Sequence, residues 1–314
     1  MFRNTMPRYE ILSPDAIAVL DKGWRRIVSE IGVQFAKPEA VELFRKAGQR
    51  VDGEVVYLDP EFVLEQVARA PREFDVQARN PANTVHIGGD DMVFGAVYGS
   101  PFVRQDDVRR DATMDDFRRL AALAQSFPEL DSAGGVICEP NDAPLDSRHL
   151  DMIYALQSCT DKIYMGNVVS GPNAADTIAM TEILFGGLGG QGRAAIEQTP
   201  ATISLINCNS PLRWDDRMLD AQFEYCAAAQ PVVLTPFLLM GAMSPVTIPA
   251  ALVQQLAEAL SGIALAQLIR PGCPVIFGSF LSNIDMQSGS PSFGTPESGL
   301  GLLCTGQLAR HYGL

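Results

Sequence analysis

Three histidines, His86, His149 and His311, are all the imidazole that this 314-residue chain offers to chemistry. No two share a helix face and no H-E-x-x-H pair occurs, so the sequence gives a metal site no support and none is expected. His86 lies in a short strand-like run and reads as structural. His311 falls near the end of the last helical stretch, where a cation suits the helix dipole. His149 opens a helix in "SRHLDM", and Glu139 and Asp142 stand close enough in sequence to meet it; a hydrogen-bonded helix start explains the same residues equally well. No G-x-S-x-G elbow is present. The six cysteines form no C-x-x-C pair, and most sit in apolar runs where a thiol behaves as a small hydrophobe. "GLGGQG" at Gly187–Gly192 spells a dinucleotide fingerprint, but it follows the helix-like "AMTEILFG" rather than a strand, so it reads as a glycine-rich loop between helices.

The most unusual stretch is "GSFLSNIDMQSGSPSFGTPESG", Gly278–Gly299, directly after the apolar "CPVIF". It holds one acid, Asp285, before Glu297, and no base. Loops this long in a compact domain are usually functional. Chemistry in such a segment must work by positioning rather than by proton transfer. Asp285 has two readings: a counter-charge for a bound cation, or a brace accepting backbone amides of its own turn.

The elements that would position these residues are regular from Met92 onward. Short apolar or β-branched runs, "VFGAVY", "GGVIC", "KIYMGNVV", "ISLINC", "PVVLTPF" and "PVIFGSF", each precede a helix-like stretch. Six βα units in succession imply a parallel sheet. Polar or special residues recur after every strand: Tyr98–Gly99, Glu139, Asn167, Asn207 and Asn209, Thr235, and Ser279. Such a ring favours a TIM-type (β/α)8 barrel, whose sites are assembled from all the βα loops, over an open sheet with one switch point. The expected strand order is sequential, 1 to 6. Two units are missing from a complete barrel, which would leave two strand edges needing a cover.

Before this series, residues 1–91 read as a helical cap with a small β element, and residues 92–314 as the barrel. Ser13 and Pro14 start one helix, Lys37 to Lys46 forms a second, and Asp59–Pro60 opens a third. Thr113 and Thr295 cap later helices. "FDVQARN" and "TVHIGG" read as short strands. Aromatic side chains recur at strand ends, Tyr98, Phe102, Phe237 and Phe280; each reads equally well as the top of the core, while together they would wall a pocket for a methylated ammonium.

Composition bounds the partners. A formal net charge of −13 argues against nucleic acid and against an anionic membrane surface. No apolar run reaches spanning length, and "MFRNTMPRYEILSPDA" lacks a signal-peptide core. With reduced thiols, a cytoplasmic location is expected.

Three long strings, "CEPNDAPLDSRHLDMIYALQSCTDKIYMG", "CNSPLRWDDRMLDAQFEYCAAAQPVVLTPFLLMGAMSPVT" and "RPGCPVIFGSFLSNIDMQSGSPSFGTPE", resemble the trimethylamine methyltransferase family. The resemblance runs from "ILSPDA" to "GQLARHYGL" and implies a barrel enzyme moving a methyl group from a methylamine or quaternary amine to a cobalamin carried by a separate corrinoid protein. Family members are longer, and some carry pyrrolysine in the segment after the "ARHYG"-like helix. A quaternary ammonium departs as a neutral amine, so no proton need move; a tertiary amine lacks that route. A quaternary, glycine betaine-like substrate is therefore expected of a member without pyrrolysine. The alternatives are a trimethylamine methyltransferase whose pyrrolysine follows Leu314, and a non-catalytic methylammonium-binding module. The expected substrate contacts are Tyr98, Glu139, Asn167, Phe237, Phe280 and Asp285, with no catalytic residue assigned and a homo-oligomer as the assembly.

Overall fold

The computed structural model describes residues 2–187 and 191–314. The fold is mixed α/β, and the chain forms two compact units by contact: residues 1–5, 73–204 and 227–231 in one, and residues 6–72, 205–226 and 232–314 in the other. The expected boundary at residue 91 coincides with none of these borders.

In the first unit the parallel arrangement is carried by single bridges. Gly95 pairs with Ser132, Ser100 with Cys138, Ser132 with Ile163, and Met165 with Ile203, all parallel. The expected first three strands are thus near-extended segments in sequential order rather than regular ladders. Around them stand the helices Met114–Ser126, Arg148–Cys159, Gly171–Gly186 and Gly192–Gln198. Thr113, expected as a cap, closes a reciprocal capping box with Asp116. Phe117, Ala121, Ile153, Leu156 and Tyr164 form the core of this layer. Of the "GLGGQG" run, residues 188–190 lie outside the described residues; its flanks are both helical. An antiparallel hairpin, Phe102–Gln105 with Val108–Asp111, interrupts the first βα connection. It turns through Asp106 and Asp107 at φ 48° and 66°, the left-handed region that Asp tolerates better than most residues.

In the second unit, Ser204–Cys208, Val232–Met240 and the run Val275–Phe277 with Phe280–Ile284 are neighbours in sequence order. Val232 pairs parallel with Val275, and Phe237 with Phe280. The helices Pro14–Arg26, Pro38–Lys46 and Pro60–Val67 begin where the cap signals placed them, with Ser13 and Asp59 accepting first-turn amides. All three pack on Ile248–Ile269, as does the strand Val232–Met240. Contrary to the expectation that no apolar run reaches spanning length, that 22-residue helix is long and apolar enough to cross a membrane, yet most of its residues are buried inside the protein. A helix apolar all round needs cover on every side, and the amino-terminal helices supply it. This is why residues 6–72 join the second unit instead of standing apart. A four-stranded sheet, Arg213–Trp214, Val33–Phe35, Val55–Tyr57 and Arg50–Asp52 in that order, was not foreseen.

Candidate functional site

The register of the second unit sets two side-chain rows. Successive residues of a strand face opposite sides. Ser279 donates to Gln255 Oε1 of the long helix at 2.8 Å, and Ser298 of the last helix donates to the Leu281 carbonyl. Ser279 therefore faces the helices, while Gly278 and Phe280 face the other way. Gln255 in turn donates to Thr305, which donates to the Gly301 carbonyl, so one polar chain fixes the strand to two helices.

On the face away from the helices, Phe237 and Phe280 stand in register with ring centroids 5.3 Å apart. Phe293 meets Phe280 edge-on at 5.6 Å. Phe280, 40% exposed, also borders a cleft of about 420 Å³ beside the last helix, lined by Ser279, Leu281, Phe293, Thr295, Ser298 and Leu302. Phe280 and Phe293 offer this cleft aromatic surface of the kind that attracts a cation, and Phe237 packs against Phe280. Phe293 was missed from sequence, although it sits inside the polar segment that was singled out. Among the described residues no group of three or more His, Cys, Asp or Glu gathers to hold a metal.

Asp285 lies in that same segment, and its carboxylate accepts the Gln287 amide at 3.0 Å and the Ser288 hydroxyl at 2.6 Å. Those bonds, the Ser288 hydroxyl first, hold its carboxyl below the ordinary range. Its backbone bonds to Ser290 and Gly289 close the turn.

The other expected contacts belong to the first unit. Tyr98 lies against Gly135, where a Cβ would come within 3.0 Å of the tyrosine ring and 2.9 Å of Met165. Although 43% of Tyr98 is exposed, desolvation of its hydroxyl, and then the charge of Glu139, push that hydroxyl up to about 12, so it is a neutral donor at physiological pH. Glu139 pairs with Arg148 at 3.1 Å. Asn167 is buried and turns inward, its Oδ1 accepting the Val169 amide. Phe102 sits in the hairpin beneath the Arg109 guanidinium, 3.9 Å from the ring centroid, and so does not crown a core strand.

Glu139, Asp142 and His149 do not meet. Glu139 takes Arg148, Asp142 accepts the Met114 amide, and His149 bonds Asp176 at 2.8 Å. Each carboxylate serves a separate helix start. His86 bonds Asp75 at 2.7 Å, which raises its basicity, and His311 stacks edge-on with Tyr312.

Residues 1–314 match, as a whole, the family described as Trimethylamine methyltransferase (MTTB). The chain belongs to the trimethylamine methyltransferase family. Within it, the chain is 41% identical over 310 residues to the glycine betaine methyltransferase of Desulfitobacterium hafniense (strain Y51), covering 98% of this chain and 64% of that protein. It is 26% identical over 292 residues to the proline betaine:corrinoid methyltransferase of Eubacterium limosum, covering 92% and 60%. The chain thus spans less than two thirds of the length of these family members. Its fold is similar to that of the Methanosarcina barkeri monomethylamine methyltransferase, with a TM-score of 0.60, 11% identity, and coverage of 94% of this chain and 59% of that one.

Proposed function

We propose that this chain is part of a methyltransferase that moves a methyl group from a quaternary amine of the glycine betaine type to the cobalamin of a separate corrinoid protein. The observation that carries the reading is the in-register pair Phe237–Phe280 with Phe293 beside it, an aromatic opening with no acid–base pair. Family membership supports it, as does the name of the 41% identical relative. The partner's cobalamin would supply the nucleophile that accepts the methyl group. This chain's residues bind the ammonium against aromatic faces, hold one methyl toward the open side and keep water off the cation. A neutral amine is the leaving group, so no general acid is required.

The reading extends to a (β/α)8 barrel whose first six units lie in residues 92–314, with residues 1–91 as its helical cap, in a cytoplasmic homo-oligomer. Phe237 and Phe280 are proposed as primary substrate contacts. Tyr98 is proposed as a neutral donor, Glu139 and Asn167 as residues that set strand-end loops, and Asp285 as the brace of its turn.

The test is an amine panel on the full-length protein with its corrinoid partner. The expected result is demethylation of glycine betaine to the tertiary amine, with trimethylamine inert. Turnover of trimethylamine alone would overturn the quaternary assignment. Binding of amines without turnover of any would reduce the protein to a binding module.

A further inference from the structure

One strand-layer below the aromatic pair lies a second row on the same face. The amide of Val232 donates to the Pro274 carbonyl where Val232 stands opposite Val275. By the same pattern, the amide of Ser204 donates to the Pro231 carbonyl, which sets Ser204 opposite Val232 on the neighbouring strand. Counting along both ladders places Asn207, Thr235 and Gly278 side by side on three adjacent strands. Two residues further along each strand, toward the carboxyl end, come Phe237 and Phe280. The two rows are therefore about 6.6 Å apart.

This lower row is polar and unsatisfied. Thr235 is 2% exposed, and its Oγ1 has no hydrogen-bond partner; the buried Asn207 Oδ1 has none either. Buried polar atoms are ordinarily paired, and each exception calls for a reason. Gly278 adds a second observation. A Cβ at this position would fall 2.1 Å from Thr235 Oγ1, so the glycine leaves the hydroxyl room in the row.

We propose that Asn207 and Thr235 form the subsite for the carboxylate arm of a betaine, with the trimethylammonio head against the phenyl rings above, which touch each other at 5.3 Å between centroids. This rests on the quaternary-amine reading and names the part of the substrate that the aromatic residues cannot read. The orientation follows from the chemistry. The methyl acceptor is held by another protein, so the reacting methyl must face the open, carboxyl end of the strands, and the polar arm must point down. One strand-layer matches the length of a two-carbon betaine. The arm needs no lysine or arginine, because a zwitterion carries its own counter-charge. Thr235 donates its hydroxyl, and the Asn207 amide, turned about its last torsion, donates N–H. A cation without a carboxylate leaves both groups unpaired, so the floor selects betaines over simple tetraalkylammonium ions.

The test measures binding of glycine betaine and of tetramethylammonium to the full-length protein by calorimetry, for the wild type and for Thr235→Val, Thr235→Ser and Asn207→Ala. Thr235→Val is isosteric and removes an unpaired hydroxyl, so its thermal midpoint should be unchanged or higher. A hydrogen bond to a charged group corresponds to roughly a ten- to hundredfold change in affinity. Glycine betaine should weaken by that factor in Thr235→Val and Asn207→Ala, tetramethylammonium should be unaffected, and Thr235→Ser should retain betaine affinity. Equal weakening of both ligands, or betaine affinity unchanged in Thr235→Val, overturns the floor's role while leaving the aromatic site in place. If the wild type binds neither compound, the amine reading itself fails and the subsite with it.

Discussion

At the residue scale, the structure separates side chains that are free to meet a ligand from those already occupied by the fold. Phe280 and Phe293 border an opening, and Phe237 packs against Phe280. Replacing Phe280 with Leu keeps apolar bulk but removes the ring quadrupole, a loss of about 1–2 kcal/mol for a desolvated cation. KM for a quaternary amine should rise roughly five- to thirtyfold with little change in kcat, measured by steady-state assay with the corrinoid partner. Asp285 should behave differently. Its two oxygens hold Gln287 and Ser288, so Asp285→Asn should change KM by less than about twofold and increase proteolytic nicking of the turn. A large rise in KM with no change in nicking would restore the counter-charge reading. The types at this scale were legible: an Asp followed by Ser and Gly is an Asx-turn signature, and aromatics at strand ends announce themselves. Their partners were not. Nothing in "CEPNDAPLDSRH" says that Glu139 takes Arg148 rather than His149, because several side chains compete for each carboxylate and only the assembled fold decides between them.

At the scale of elements, caps and apolar runs were enough to place the helices, since Ser13, Asp59, Thr113 and Thr295 each accept a first-turn amide. The hairpin Phe102–Asp111 was lost because its turn is Asp-Asp, a weaker signal than Asn-Gly. The strand Arg213–Trp214 was lost because its parallel partner, Gln34–Phe35, lies far away in sequence. What anchors the connection ahead of that strand is Glu258, fully buried on the long helix. It accepts the Leu212 amide at 2.8 Å, the Ser210 hydroxyl at 2.6 Å and the Gln254 side chain at 2.8 Å. Burial outweighs these bonds and raises its carboxyl above the ordinary 4.5. The folded state thus holds this proton at a pH where the unfolded chain has released it. The contribution to stability is full below about 4.5 and declines as pH climbs through the raised value. Glu258→Gln should remove that slope, so wild-type stability minus variant stability falls from pH 4 to pH 7 in denaturant titrations. Glu258→Ala removes the acceptor shared by Leu212, Ser210 and Gln254, of which Gln254 keeps the Met243 carbonyl, and should cost about 3 kcal/mol. A flat difference for Glu258→Gln would mean that the carboxyl ionises as it does in water.

At the scale of the whole molecule, the sequential order of parallel segments was legible, whereas the grouping of segments into compact units was not. Chain order alone does not say what a cap at residues 1–91 rests on. Burial does, because Leu256, Leu260, Ile263 and Leu265 of the long helix are at 0% exposure and Pro14–Arg26 and Pro60–Val67 are among the elements packed on that helix. Uncovering a helix of this composition exposes a contiguous apolar surface, which in water leads to association. A truncated chain that begins at Glu73 should therefore bind a hydrophobic dye strongly and sediment as an aggregate, while the longer chain does neither. Adding the segment 1–72 as a separate polypeptide during refolding should recover part of the soluble fraction, because the contacts it supplies are side-chain packing rather than a covalent link. A truncated chain that stays monomeric with a cooperative thermal transition would show that the amino-terminal helices are a detachable cap, and that the long helix finds its cover elsewhere.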